Sequence, residues 1–546
     1  MGKLSQFYKT ILLLILSVVF FLGFKAVLPD RLFSENLLND PSMLIDSILL
    51  DLLDGGEIFE PVLIDTVYDV DEDTALIADL AYIEPDINIM ADTAVIQKDT
   101  TVSQVYVPED SGLQESVIAK GVRSFKRSDF AQKLAKRKPM LFLPEKGNFV
   151  VTDRPIIDTL LDPALSVQGY GYLQRFYSKL RKLEENKSGK IRIAYFGDSM
   201  NDGDLIVQDF RSLLQDNFGG YGVGFVSISS LSSASRGSVY HKHSDAWHVQ
   251  SFITSKKPST PFGIDGQVFL AGGGSGYWVS YAAGTVKNSS SLYNPTLFYG
   301  RSDNNGGYVN VSINKTIKEQ IHLTPEHALN VKYLGQNTAK SVNLNFGNIQ
   351  NIPIYGLDFS SNMGVYVDNF SLRGNSGLTL VGLNSGLMNA FDRVLHYDLI
   401  VLHYGTNVLN YGSHDYSFYE KGMKAVIHKL RACFPHADIL VISTADKSSK
   451  INMKMETDPA VIALTKAQKN FSRNTGCGYI DLYSLMGGYG SMVDWVNRHL
   501  ANKDYTHFNV KGSKEVGTLL FQELENGYNK YKIQLARELK KGEGEN

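Results

Sequence analysis

Cysteine is nearly absent from this chain: Cys433 and Cys477 are the only two in 546 residues. Neither belongs to a Cys-x-x-Cys pair, so a metal site is not indicated. One disulfide between them and two buried thiols are both compatible with the sequence. Charge of one sign is also lacking. With 54 Lys and Arg against 57 Asp and Glu, the net charge of -3 leaves no basic stripe to neutralise phosphates, and no zinc-finger or RNA-binding signature occurs. Both absences argue against a nucleic-acid partner. The glycine-rich stretch Gly219-Gly220-Tyr221-Gly222-Val223-Gly224-Phe225 lacks the Gly-Lys-Ser/Thr ending of a phosphate loop, so nucleotide binding is rejected.

Long hydrophobic runs are scarce too. The apolar stretch Ile11 to Phe24 follows Lys3 and Lys9 and precedes Lys25. It is shorter than the roughly 20 residues that span a bilayer. Its position and basic flanks mark residues 1–30 as a signal peptide or membrane anchor. No small-x-small cleavage site follows, which favours an uncleaved anchor with the remainder exported. Residues 31–160 form an acidic, largely irregular linker: 31–120 carry 20 acidic residues against three basic ones. Residues 123–138 turn basic, a solvated face by default and an anionic-polymer contact as the alternative.

What is present suffices for two or three folded units, since 43% of residues are hydrophobic and 11% aromatic. Leu173, Phe176, Tyr177, Leu180 and Leu183 recur at helical spacing before an apolar strand, Ile191 to Phe196. A helix over 204–217 follows. Further strands are expected at 399–402, 439–442 and 479–482, with helices at 421–432 and 459–474 between them. Strands alternating with helices predict a parallel sheet covered on both faces. Between the halves, residues 235–364 change texture to short alternating runs such as Tyr308-Val309-Asn310-Val311-Ser312, which predict an all-β sandwich or jelly roll. Trp247, Tyr277, Trp278, Tyr281 and Tyr299 could stack on sugars there or fill the core. The α/β half then comprises 161–234 and 365–546.

The candidate chemistry lies at strand ends. Gly197-Asp198-Ser199 ends the first strand, Gly405-Thr406-Asn407 ends another, and Asp504-Tyr505-Thr506-His507 lies near the C-terminus. A serine hydroxyl needs a base, and the base needs a group that fixes its tautomer; Ser199, His507 and Asp504 can fill these roles. The Ser199 N–H, a glycine N–H and the Asn407 amide can hold an oxyanion. Each motif alone is short enough to recur by chance, but their shared location is the edge where open α/β sheets bind ligands. Asp198 is read as anchoring the nucleophile turn. His403 is read as a core histidine, and His241, His243, His248 and Asp245 as a cluster without a strict metal pattern, so no metal is expected.

These motifs resemble those of the SGNH (GDSL-type) hydrolases, with Gly374 in Asn369-Phe370-Ser371-Leu372-Arg373-Gly374 matching the glycine of the second block. The resemblance implies a three-layer flavodoxin-like α/β fold, with Ser199 as nucleophile, His507 as base, Asp504 as its partner, and Ser199, Gly374 and Asn407 as the oxyanion hole. A narrower resemblance is to bacterial peptidoglycan O-acetylesterases, which carry a carbohydrate-binding-module-like sandwich between the first and second blocks. It implies a periplasmic or cell-envelope esterase that needs no cofactor, with an O-acetylated glycan as substrate. An O-acetyltransferase with the same triad and a non-catalytic glycan-binding protein are the alternatives.

Overall fold

The computed structural model describes residues 170–544, except 256–257, 273–275, 336 and 410–413. The expected anchor, acidic linker and basic segment lie outside them. Among the described residues no helix is long and apolar enough to cross a membrane.

Five strands form the parallel sheet: β1 (Lys190–Gly197), β2 (Gly364–Asn369), β3 (Leu399–His403), β4 (Asp438–Ile442) and β5 (Gly478–Ile480), in the order β2-β1-β3-β4-β5. All four pairings are parallel. This is the doubly wound order that reverses beside its first strand and leaves a crevice at the carboxyl ends of β1 and β3. Because both faces are covered, the strands are buried along nearly their whole length rather than at alternate positions. Ile191, Ile193 and Tyr195 of β1 share a core with α1 (Gln174–Asn186), α2 (Val207–Phe218) and the C-terminal helix Val510–Gly544. Ala194, Phe196, Ile400 and Leu402 are equally buried on the opposite face. That side is left to α3 (Ser385–Leu395), α4 (Ser417–Cys433) and α5 (Pro459–Asn474). Local signals set the helix starts: Asn384 caps α3 through the Leu387 N–H, and Asp458 caps α5 just before Pro459.

The β insert is two antiparallel sheets over a shared core. One runs Thr316–His322, Tyr308–Ile313, Ser341–Gly347, Tyr277–Ala283, Val239–His243; the other runs Asn330–Tyr333, Thr296–Tyr299, Ile354–Phe359, Gln267–Ala271, Trp247–Ser251. Gly224–Ser227, just ahead of the expected insert, also pairs with Ile354–Phe359. Trp247, Tyr277, Tyr281 and Tyr299 fill the shared core, while Trp278 is half-buried. Of the two roles open to these aromatics, packing therefore describes four. Cys433 and Cys477 are free and buried.

Arg192, inside β1, cannot reach water and finds its partners at the junction of the two regions. Its guanidinium meets Asp368 of β2 at 2.6 and 2.9 Å, Asp358 of the insert, and Ser360 Oγ at 3.2 Å. Asp368 also accepts from Tyr397 Oη at 2.6 Å and from the Phe225 N–H at 2.9 Å. One buried cluster thus ties the sheet to the sandwich.

Candidate active site

Ser199 sits in the turn that leaves β1. The Asn201 and Asp202 N–H groups both donate to the Asp198 carbonyl at 3.1 Å, closing that turn. Gly197 leaves little room for a side chain: a Cβ there would lie 2.7 Å from Asn201 Nδ2 and Ser371 Oγ, which would have to shift. Asp198 is buried and accepts from the Met200 N–H at 3.0 Å and the Thr406 N–H at 3.3 Å. Burial pushes its carboxyl up to about 6, against the hydrogen bond from Met200 and the charge of His507. Its role as an anchor, expected from the sequence, extends further than one turn, because it also pins the segment after β3.

The C-terminal loop brings the expected base, His507, to the serine. His507 Nε2 lies 3.1 Å from Ser199 Oγ, and His507 Nδ1 lies 2.9 Å from Asp504 Oδ2. With the proton on Nδ1, donated to Asp504, Nε2 can accept the serine proton. Asp504 is itself held by the Thr506 and His507 N–H groups, each at 3.0 Å from Oδ1. Burial raises its pKa, but the hydrogen bonds from His507 and Thr506 outweigh this and hold it below the ordinary carboxylate value. Tyr505, between the two, takes a positive φ of 54°, and its carbonyl accepts from the Ser448 N–H at 3.0 Å.

Two of the expected oxyanion donors, Gly374 and Asn407, lie on separate loops. Gly374 has φ 77°, a left-handed conformation that suits glycine. Asn407 Nδ2 donates to the Asn375 carbonyl at 3.0 Å, which joins the loop after β3 to the Gly374 turn. That bond uses one of the two amide hydrogens. Among the described residues, the Ser199 and Gly374 N–H groups donate to no other group. Gly405 has no room for a side chain, since a Cβ would meet Thr444 Cβ at 2.4 Å.

The remaining histidines have other partners. His403 is buried with Nδ1 2.7 Å from Tyr195 Oη, and burial depresses its pKa to about 3, so it stays neutral. His241 is buried, bonds the Ile228 carbonyl at 3.0 Å and stacks on Tyr281. Among the described residues no three His, Cys, Asp or Glu side chains converge as a metal site.

Sequence reasoning missed the supports. Gln468 of α5 spans the ends of β3 and β4, donating to the Tyr404 carbonyl at 2.7 Å and accepting from the Thr444 N–H at 2.8 Å. Arg373 and Asp202 pair at 2.9 Å beside the nucleophile turn. Nothing in the spacing of these residues announces partners so distant in the chain.

A serine, an imidazole, a carboxylate and free N–H donors in this arrangement can perform acyl transfer. A family model described as "GDSL-like Lipase/Acylhydrolase family" matches residues 353–514. The chain carries a GDSL-like acylhydrolase domain, that of a carboxylic ester hydrolase. The match begins beyond Ser199 and so does not include the residue that His507 contacts. A solved structure described as a peptidoglycan O-acetylesterase in action is similar at 20% identity and a TM-score of 0.55, covering 65% of this chain and 96% of that one. It shows a shared fold. A family two carbohydrate esterase from Cellvibrio japonicus matches at 12% identity and TM-score 0.24, over 53% of this chain and 98% of that one. A carbohydrate esterase family 2 enzyme with a carbohydrate-binding domain, from Corynascus thermopiles (Myceliophthora fergusii), matches at 12% identity and TM-score 0.23, over 53% and 99%. No curated protein matches the chain.

Proposed function

We propose that this acylhydrolase is a cell-envelope serine esterase that removes O-acetyl groups from a glycan, with peptidoglycan as the substrate. The observation that carries the reading is the continuous hydrogen-bonded line from Ser199 through His507 to Asp504, at 3.1 and 2.9 Å. The choice of glycan is supported by the fold shared with a peptidoglycan O-acetylesterase. The envelope location is supported by the apolar segment 11–24 with its basic flanks.

Ser199 Oγ attacks the acetyl carbonyl as its proton passes to His507 Nε2. The carbonyl oxygen becomes an oxyanion held by the Ser199 and Gly374 N–H groups and the second amide hydrogen of Asn407. Collapse breaks the bond to the sugar oxygen, which leaves with the proton from His507, and Asp504 stabilises the transient imidazolium. Water then attacks the acetyl-serine, gives a proton to His507, and acetate departs as Ser199 regains its hydrogen. Acetate release from purified O-acetylated peptidoglycan tests this, with the wild type set beside Ser199→Ala and His507→Ala. Release by the wild type and its loss in both variants is the expected result. Undiminished release by the variants would remove the mechanism.

A further inference from the structure

The turn beside the nucleophile carries a cation that the acetyl chemistry does not use. Arg373 immediately precedes Gly374, and its Nε donates to Asp202 Oδ2 at 2.9 Å and to Ser232 Oγ at 3.0 Å. Asp202 belongs to the Ser199 turn, since its own N–H closes on the Asp198 carbonyl at 3.1 Å. The Asp202 carboxylate is fixed in turn: Oδ1 accepts from the Gly203 N–H at 2.9 Å, and Oδ2 accepts from the Ser232 hydroxyl. The guanidinium is therefore held by one edge against the nucleophile turn, while its backbone continues into the Gly374 N–H. Its side chain remains 32% exposed, and among the described residues neither Nη makes a hydrogen bond or ion pair.

A guanidinium clamped at Nε still presents two Nη groups in a planar fork, which matches the two oxygens of a carboxylate. Because Asp202 and Ser232 already orient it, little side-chain freedom is lost when a ligand docks. We infer that Arg373 binds a carboxylate borne by the sugar of the acetylated glycan, so that the enzyme selects acidic over neutral sugar esters. The inference rests on the acetylesterase reading above. A lysine at this position would keep the charge but lose both the Nε anchor and the fork.

The test uses the full chain and O-acetylated glycan strands freed of peptide, whose muramic residues expose lactyl carboxylates. The same strands, with those carboxylates converted to amides by carbodiimide and ammonium, are the neutral counterpart. Wild-type kcat/KM is expected to be at least about tenfold higher on the acidic strands, the scale of one charge-assisted contact. Arg373→Gln should bring that ratio close to one, and Arg373→Lys should leave it in between. Equal wild-type rates on both strands overturn the inference without touching the esterase reading, and need no variant. A loss in Arg373→Gln that is proportionate on both strands and on 4-nitrophenyl acetate also overturns it, because Arg373 would then only hold the Gly374 turn. Absence of acetate release by the wild type from either strand overturns the esterase reading, and the inference with it.

Discussion

In β1 every residue from Ile191 to Gly197 is buried, whereas the sandwich strand Tyr308–Ile313 alternates buried positions with partly or fully exposed ones. A strand covered on both faces has no solvent side for a polar group, so Arg192 must be answered internally by Asp358 and Asp368. The sandwich sends Asn310, Asn343 and Asn345 outward and keeps its core for aromatics such as Trp247 and Tyr281. The two regions are thus vulnerable to different kinds of change. The parallel region adds the buried Arg192 charge cluster to its apolar core, and the sandwich relies on packed aromatics.

The largest effect that would sharpen this contrast is catalytic. His507→Ala should lower kcat/KM for acetate release at least ~10⁴-fold, with the thermal midpoint close to that of the wild type because His507 is part-exposed. Next comes Asp368→Ala, which leaves the Arg192 charge buried with only Asp358 opposite. Loss of one partner from such a buried group costs about 3–5 kcal/mol, to be read from urea midpoints. If Asp368→Ala unfolds no more readily than Asn310→Ala on the exposed sandwich face, the contrast between the regions fails. Asn407→Ala follows: loss of one oxyanion donor should reduce kcat by about 10²–10³ with little change in KM. A matching rise in KM would instead mean that Asn407 holds the substrate in its ground state.

The same contrast explains what could be read from the residues in advance. The strands at 399–402 and 439–442, the helix at 459–474 and the sandwich runs at 308–312 and 341–345 all appear within a residue or two of expectation. Their signals are local, namely apolar runs, a proline-led helix start and strict alternation. Ser199 at the end of the first strand, and Asp504 and His507 three residues apart in the terminal loop, were legible as residue types suited to one chemistry, and the structure brings all three together. The edge strand Gly364–Asn369 was not foreseen. Its five buried residues include Asp368, whose partners Arg192 and Phe225 lie far away in the chain. Arg373, Asp202 and Gln468 escaped for the same reason: each is defined by a long-range hydrogen bond, and such pairings leave no periodic trace.

The smallest expected effect concerns Asp198, where the catalytic and structural roles meet. Its two oxygens accept from different segments, Met200 in the nucleophile turn and Thr406 after β3. Asparagine supplies one acceptor oxygen, so Asp198→Asn must face one of these N–H groups with its own NH₂. Loss of about one hydrogen bond predicts roughly a tenfold fall in kcat/KM at pH 8. The pH dependence of stability is more diagnostic. Burial raises the folded-state value of Asp198 to about 6, above its ordinary one. The folded protein therefore binds the extra proton between about pH 4 and 6, and the contribution of this group to stability declines as pH rises through that window. Asp198→Asn removes that decline, so the variant should gain on the wild type between pH 4.5 and 7.5 in denaturant midpoints. A difference between the two proteins that stays constant across that range would mean that Asp198 titrates like an ordinary carboxylate. The buried link between the two catalytic segments would then carry no cost.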